Sequence, residues 1–266
     1  MTKPVLEACR CCGGSNTQYL WNGDLIGYSV AYFECSDCGY FQTEHPYWLE
    51  EAYSDAIISN DTGIMSRNLA NSRITAVTLK LLGSINGCVV DYAGGFGLLV
   101  RLLRDLGIDA FWHDPYCENL VARGFEYTCQ EAHLVTAFEV FEHFVYPGKE
   151  LDKLLKISNN ILLSTSIIDE EIPDHEKWWY YGKEHGQHIG FYKIQTLQKL
   201  ATSKGLKFYS NGVDRHLICK KPINKTLWRI LMKTSRYVSP LITKSRDSKV
   251  WSDYLELSSR HITLKE

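Results

Sequence analysis

Residues 88–106 read CVVDYAGGFGLLVRLLRDL, and this stretch decides the fold. A short apolar run ends in Asp91, three glycines follow, and leucines then recur at helical spacing from Leu98 to Leu106. This order predicts a buried parallel strand, a tight turn and a helix. Glycine tolerates positive φ and lets a ligand approach the main chain, and the helix N-terminus lies directly behind the turn. We therefore expect the turn to face a ligand.

A second acid follows the next predicted strand, since residues 110–113 lead into Asp114. A dinucleotide site would favour the spacing G-x-G-x-x-G, which this turn lacks. The pair of acids and the turn instead resemble the class I S-adenosylmethionine-dependent methyltransferases. The resemblance implies that Asp91, Ala93, Gly95 and Gly97 shape the cofactor loop, with Ala93 where the family has its first glycine, and that Asp114 binds the ribose hydroxyls.

Two further cofactor contacts are implied by the same resemblance. Arg67 lies early in a helix predicted over residues 64–82 and would pair with the methionine carboxylate, because a guanidinium binds a carboxylate with two hydrogen bonds. A solvated surface arginine is the alternative. Phe138 ends the predicted fourth strand and would contact the cofactor.

The composition limits the class of protein. The chain has 266 residues, 45% of them hydrophobic and 23% charged, with a net charge of -2. These values are ordinary for a globular protein and give no general attraction to nucleic acid. No N-terminal stretch resembles a signal peptide, and no run approaches the roughly 20 apolar residues of a membrane span. We expect a cytoplasmic protein.

The cysteines near the N-terminus form two C-x-x-C-G motifs, Cys9 to Gly13 and Cys35 to Gly39. Two such motifs can present four thiolates to a structural Zn²⁺, so we expect Cys9, Cys12, Cys35 and Cys38 to form a zinc ribbon. Cys11 could ligate in place of Cys12, and chance pairing of unrelated cysteines is the alternative. The other cysteines are expected to be reduced thiols.

Acids and a histidine follow the fourth predicted strand in residues 139–143, EVFEH. On a helical turn Glu139 and Glu142 would share one face, with His143 beside them. The run is similar to that of the ubiquinone-pathway O-methyltransferases and the small-RNA 2′-O-methyltransferases, and His188 resembles the distal histidine of the latter. The resemblance implies that these four residues hold a divalent cation, Mg²⁺ or Zn²⁺. A hydrogen-bonded Glu142–His143 pair without metal is the alternative, and His188 or His143 would then be the base, oriented by Glu142.

Two segments lie outside these motifs. Residues 167–189 contain Trp178-Trp179-Tyr180-Tyr181 and are predicted to form a lid over the acceptor, or else a hydrophobic plug at the sheet edge. Residues 220–249 carry nine cations and one acid, a charge of +8, among leucines at helical spacing. This predicts a basic amphipathic helix that contacts a membrane surface or a polyanion, or that packs on the domain's own back.

Together these features predict an α/β protein with a Rossmann-like, seven-stranded methyltransferase sheet, including a short third strand at 125–128. We expect a zinc-ribbon-like module over residues 1–45, the methyltransferase domain over 46–221, with connector and first helix at 46–86, and a helical tail over 222–266. The chain resembles bacterial methyltransferases of sugar and surface-polysaccharide biosynthesis, which implies O-methylation of a sugar or glycan. The alternatives are an RNA or small-molecule O-methyltransferase and a non-catalytic zinc-ribbon binding protein. The basic tail would place the protein at the inner membrane face, and no nucleic-acid partner is evident.

Overall fold

The computed structural model describes residues 8–54, 61–129, 131–169 and 171–263. The elements in chain order are β1 (Thr17–Leu25), β2 (Tyr28–Cys35), β3 (Phe41–Thr43), α1 (Leu49–Ala52), α2 (Ile64–Leu82), β4 (Val89–Tyr92), α3 (Leu98–Asp105), β5 (Ala110–His113), β6 (Leu134–Phe138), α4 (Pro147–Leu155), β7 (Asn160–Ser164), β8 (Gly190–Phe191), α5 (Ile194–Ser203), β9 (Lys207–Ser210), β10 (Arg215–Cys219), α6 (Lys225–Thr243) and α7 (Val250–Thr263). Two short 3₁₀ helices span Phe141–His143 and Trp179–Tyr181.

The central sheet has six strands in the order β5-β4-β6-β7-β10-β9. β5, β4, β6 and β7 are parallel, whereas β10 runs antiparallel to both of its neighbours, β7 and β9. Parallel strands bring their carboxyl ends to the same edge, and Asp91 pairs with Trp112 on β5 and Thr136 on β6. The predicted strand-turn-helix unit is confirmed, and its turn lies at that edge.

The expected seventh strand at 125–128 is not formed among the described residues. Only Glu126 makes a parallel bridge, to Trp112, at the outer side of β5. The chain turns at both ends of this segment, where Gly124 has φ +87° and Cys129 has φ +80°. The extended segment is therefore too short for a strand, and the sheet has six strands and one bridge.

Helices cover both faces of the sheet. Successive residues of a strand point to opposite faces, so neighbouring residues of β6 pack against different helices. Leu134 packs in one buried cluster with Leu79 of α2, Leu103 of α3 and Trp228 of α6. Val135 packs on the opposite face, where the cluster includes side chains of α4 and α5. The tail is helical as expected, and Asp253 of α7 forms a buried ion pair with Arg104 at 2.6 Å. Among the described helices, none has both the length and the apolarity required to cross a membrane.

A second, antiparallel sheet has the order β1-β2-β3-β8. Its fourth strand comes from far along the chain, since Phe41 pairs with Phe191 and Gln42 with Gly190. The guanidinium of buried Arg10 donates to the carbonyl oxygen of Ile189 at 2.8 Å. The cysteine-rich N-terminal hairpins and the segment after His188 therefore share one sheet.

Candidate active site

A cleft of about 1230 Å³ opens at the carboxyl edge of β4, β5 and β6. It brings together most of the residues that the sequence predicts to bind a cofactor, with the histidines on another wall. The predicted residues that line it are Arg67, Asp91, Ala93, Gly95, Asp114, Phe138, Glu139, His143 and His188. Gly97 and Glu142 do not line the cleft, and Glu142 is fully buried behind it.

The glycine-rich turn takes left-handed backbone conformations at alternate residues. Ala93 has φ +59°, Gly95 has φ +53° and Gly97 has φ +87°. A Cβ atom on Gly97 would also lie 2.8 Å from Oδ1 of Asn119, so conformation and space both require glycine there. Ala93 adopts the same conformation without being glycine, which is strained and typical of ligand-binding turns.

Asp91 and Asp114 differ in environment. Asp91 is buried, accepts a hydrogen bond of 2.7 Å from Oγ1 of Thr136, and burial raises its pKa to about 7. Asp114 is partly exposed and accepts hydrogen bonds from the backbone amides of Gly95, Tyr116 and Cys117. These three hydrogen bonds hold the loop in place. Because a carboxylate has about four acceptor positions, about one position of Asp114 remains for a ligand.

Arg67 and Phe138 lie on the cleft beside charged partners. Nη2 of Arg67 is 2.5 Å from Oδ2 of Asp61, so its guanidinium is already paired with a carboxylate in the wall of the cleft. The guanidinium of Arg215 lies 5.9 Å from the centre of the Phe138 ring. The cleft therefore offers a cation and an aromatic face.

The sequence-based placement of Glu139 on a helical turn with Glu142 is wrong. Glu139 has φ +54° and precedes the 3₁₀ helix, so the two side chains do not share a helical face. Its Oε1 accepts a hydrogen bond of 2.5 Å from Oγ of Ser164 and lies 3.7 Å from Nη1 of Arg215. These contacts draw its carboxylate toward β7 and β10, and Glu139 is not among the convergent ligand atoms described next.

Glu142 carries the most strongly constrained carboxyl group of the site. Its Oε1 accepts a hydrogen bond of 2.6 Å from the hydroxyl of Tyr180, whereas its buried Oε2 has no hydrogen-bond partner among the described residues. Burial, reinforced by the charge of Glu139, raises the pKa of Glu142 to about 8. A buried acceptor without a partner is costly, so a donor or a cation at Oε2 would be stabilising.

His143 and His188 converge on Glu142, and the ligand atoms of the three side chains lie within 4.8 Å of one another. Nδ1 of His188 is 2.6 Å from the carbonyl oxygen of Tyr180, so Nδ1 carries the proton and Nε2 keeps its lone pair. Burial lowers the pKa of His188 to about 3 and holds that of His143 well below its usual value. Both rings are therefore neutral near pH 7, as a base or a metal ligand must be.

Two tyrosines complete this cluster, and sequence reasoning missed both roles. The hydroxyl of Tyr53 lies 2.9 Å from Nδ1 of His143, across 90 residues of chain. Tyr180 bonds Glu142 through its hydroxyl and His188 through its carbonyl. The aromatic run is thus only partly a lid, because Tyr180 and Tyr181 are buried while Trp179 is 76% exposed at the cleft. The aromatic run indicated that residues 167–189 belong to the site, but no local sequence pattern shows which of its rings are buried.

The four cysteines of the two C-x-x-C-G motifs, Cys9, Cys12, Cys35 and Cys38, form a second convergent group, and Cys11 is outside it. The sulfur atoms of Cys9 and Cys38 are 3.6 Å apart, and those of Cys12 and Cys35 are 3.7 Å apart. Tetrahedral Zn²⁺ with bonds of about 2.3 Å requires separations of about 3.8 Å. Gly13 and Gly39, at φ +77° and +75°, make the turns that follow each pair. The donor set and spacing suit this ion.

A family model described as a methyltransferase domain matches residues 65–211. Curated protein sequences give no match. Similar solved structures include the magnesium protoporphyrin IX methyltransferase from Synechocystis PCC 6803 with bound SAH, at 15% identity over 64% of this chain and 92% of that chain, TM-score 0.45. The plantazolicin methyltransferase in complex with SAH has 12% identity over 73% and 88%, TM-score 0.47, and the human N-acetylserotonin methyltransferase with SAM has 17% over 66% and 66%, TM-score 0.44.

Proposed function

The chain belongs to the S-adenosylmethionine-dependent methyltransferases of the family that its residues 65–211 match, and from this premise we propose that it methylates a hydroxyl oxygen of a sugar or saccharide-linked acceptor. The single observation that carries the proposal is the placement of a neutral imidazole, that of His188, in the same cleft as the glycine-rich loop and Asp114. A hydroxyl acceptor needs a group that removes its proton, and Nε2 of His188 is free to take it. Because burial makes this ring a weak base, it takes the proton as the oxygen gains the methyl group and becomes acidic.

The chain's own residues hold and prepare the reactants. Asp114, the amides of the turn and Arg67 would hold the cofactor, which supplies when bound a methyl group on a good leaving group. The carbonyl of Tyr180 fixes the ring of His188, so that Nε2 accepts the hydroxyl proton while the acceptor oxygen takes the methyl group. Alignment in the cleft supplies much of the remaining rate enhancement.

The lining of the cleft supports a saccharide more than RNA. Trp179 and Tyr116, 76% and 72% exposed, present aromatic faces on which sugar rings can pack. Seven acids face two cations, and such a surface would repel the continuous phosphate backbone of RNA. The acids are Glu50, Asp61, Asp91, Asp114, Glu139, Glu150 and Glu184, and the cations are Arg67 and Lys153.

Two metal sites are part of the proposal. Cys9, Cys12, Cys35 and Cys38 would hold a structural Zn²⁺. Glu142, His143 and His188 would hold a second divalent cation, which the unpartnered Oε2 of Glu142 favours, and two imidazoles suit Zn²⁺ better than Mg²⁺. Such an ion would lower the pKa of an acceptor hydroxyl, and the role of His188 would then be that of a ligand instead of a base.

The test of the acceptor class uses labelled S-adenosylmethionine with three substrate sets: nucleotide sugars, bacterial surface glycans and RNA. We expect label in a saccharide, with loss of at least 100-fold in kcat for His188→Gln and unchanged affinity for S-adenosylhomocysteine. His133→Gln, at an exposed histidine, is the matched control. Label in RNA alone, or full turnover by His188→Gln, would contradict the proposal.

The role of the second cation is tested by metal content. If the three residues bind an ion, Glu142→Gln lowers the zinc content from two equivalents to one and leaves the cysteine site filled. If wild-type protein and Glu142→Gln both hold one equivalent, and chelation leaves turnover unchanged, the cation is excluded and His188 is the base.

A further inference from the structure

Helix α6 uses one face to cover the fold. Its buried side chains are Trp228, Met232, Ser235, Ser239 and Thr243. Trp228 and Met232 join the buried cluster that contains α2 and the central sheet. The buried face packs α6 against the domain, but it contains only some of the apolar residues of the helix.

A second apolar face of α6 points to solvent. Leu227, Ile230, Tyr237 and Leu241 are 43%, 51%, 71% and 76% exposed. With Thr234 they alternate at intervals of three and four residues, which places them on one stripe. At about 100° per residue the centre of this stripe lies about 160° from the centre of the buried face. Large apolar side chains so exposed in a continuous stripe indicate a contact surface.

The charge of α6 is one-sided. Lys225, Arg229, Lys233 and Arg236 are exposed, and residues 225–243 contain no acid. None of the four forms an ion pair with any described residue. On the helix they occupy the flank between the buried face and the exposed stripe. Cations beside an exposed apolar stripe are typical of helices that lie in a membrane interface with anionic lipid headgroups.

The next helix adds exposed aromatic rings. Trp251 and Tyr254 of α7 are 67% and 57% exposed, and their rings stack 5.1 Å apart. Tryptophan and tyrosine favour the boundary between lipid tails and water, because each combines an apolar ring with a polar group. The C-terminal helices thus carry both kinds of interfacial side chain.

We propose that the exposed stripe of α6 docks on an anionic lipid bilayer, with Leu227, Ile230, Tyr237 and Leu241 below the headgroups and the four cations among the phosphates. A second copy of the chain is a poorer occupant, because an isologous contact would bring the same cations together. A nucleic acid would pair with the cations but leave the leucines exposed. The inference is independent of the proposed acceptor.

The test is sedimentation of the full chain with vesicles of phosphatidylglycerol and phosphatidylcholine in equal parts, against pure phosphatidylcholine. We expect binding to the anionic vesicles at least tenfold stronger than to the neutral ones. Ile230→Ser/Leu241→Ser and Arg229→Gln/Lys233→Gln should each weaken it about tenfold or more, whereas Leu120→Ser/Val213→Ser, at comparably exposed apolar positions, should bind as wild type. Thermal unfolding verifies that all variants are folded.

Several results would overturn the proposal. Equal binding to both kinds of vesicle would show that the four cations do not contribute to binding. Absence of binding to either kind would show that the stripe does not dock on a bilayer. Loss of binding in the charge variant but not in the stripe variant indicates a polyanion site. A concentration-dependent dimer in analytical ultracentrifugation that Ile230→Ser/Leu241→Ser abolishes assigns the stripe to a second copy.

Discussion

The hydroxyl of Tyr180 donates a hydrogen bond of 2.6 Å to Oε1 of Glu142, and both side chains are buried. The same residue accepts from Nδ1 of His188 through its carbonyl. Tyr180 therefore positions the carboxylate and the imidazole together, although it lies 38 residues from one and 8 from the other.

We expect Tyr180→Phe to leave both oxygens of Glu142 without a donor. The free energy of unfolding should fall by about 1–3 kcal/mol, and kcat should fall because Glu142 holds its proton more firmly. Tyr181→Phe is the matched control, since its hydroxyl donates to the carbonyl of Pro173 and does not contact Glu142. Urea unfolding and methyl-transfer rates measure the two effects. Full turnover by Tyr180→Phe would show that the hydrogen bond from Tyr180 to Glu142 is not needed for methyl transfer.

The cysteine group should hold one equivalent of Zn²⁺. Cys35→Ser is expected to abolish this zinc and to lower the unfolding temperature by at least several degrees, because a structural ion contributes directly to folding. Cys11→Ser should keep the zinc, since Cys11 is outside the four-sulfur group. Elemental analysis of purified protein measures both. Loss of zinc in Cys11→Ser with retention in Cys12→Ser would reverse the assignment.

Ala93 at φ +59° should respond to substitution in the opposite sense from an ordinary alanine. Ala93→Gly is expected to raise the free energy of unfolding by up to about 1 kcal/mol, because strain is relieved at a small entropic cost. Ala137→Gly, in strand β6, should lower it and is the control. Denaturant unfolding measures these changes, and calorimetry with S-adenosylhomocysteine tests whether the loop still binds. Equal destabilisation by both changes would show that Ala93 is unstrained.

His216 should make the fold sensitive to acid. It is buried between Oγ of Ser210 and the carbonyl of Thr165, and burial lowers its pKa to about 4. Well above pH 6.5 the residue is neutral in the folded and unfolded chains. As the pH falls from 6.5 toward 4, the unfolded chain binds the proton first and stability is lost, by about 2 kcal/mol at pH 5.

The measurement compares urea unfolding at pH 7 and pH 5. His216→Gln should reduce the difference in unfolding free energy between the two pH values by about 2 kcal/mol, and His133→Gln is the control for replacing a histidine at the surface. His188 and His143 act in the same direction, and Asp91 and Glu142, whose pKa values are raised by burial, act in the opposite direction, so the test is the difference between His216→Gln and wild type. An unchanged pH difference in His216→Gln would contradict the burial argument.

The sequence predicted a helix or strand well where the residues of that one element show its hydrophobic periodicity. The helix at 64–82 and the strand at 110–113 have the predicted bounds, and the acids follow their strands as expected. The strand at 125–128 failed because the conformations at Gly124 and Cys129 set its length. The prediction for Glu139 was wrong for a related reason. It assumed a helix, whereas the backbone at Glu139 is in the left-handed conformation.

The candidate site was predictable in its residues but not in its connections. Asp91, Asp114 and His143 meet in one cleft because the parallel strands β4, β5 and β6 end at one edge, whereas His188 reaches the cleft from the loop before β8. The contacts of Tyr53 with His143 and of Tyr180 with Glu142 span 90 and 38 residues. Such contacts depend on how loops pack over the sheet, which the spacing of residues within one segment does not encode.

The pairing of β3 with β8 has a consequence for regulation. β8 begins two residues after His188, and its neighbour in the sheet lies between the second cysteine pair and the connector. Oxidation of the thiols or chelation of a bound metal would unfold the N-terminal hairpins. β8 would then lose its pairing with β3, and the nearby imidazole of His188 would become less ordered. Turnover would then depend on the zinc content and the thiol redox state of the N-terminal hairpins.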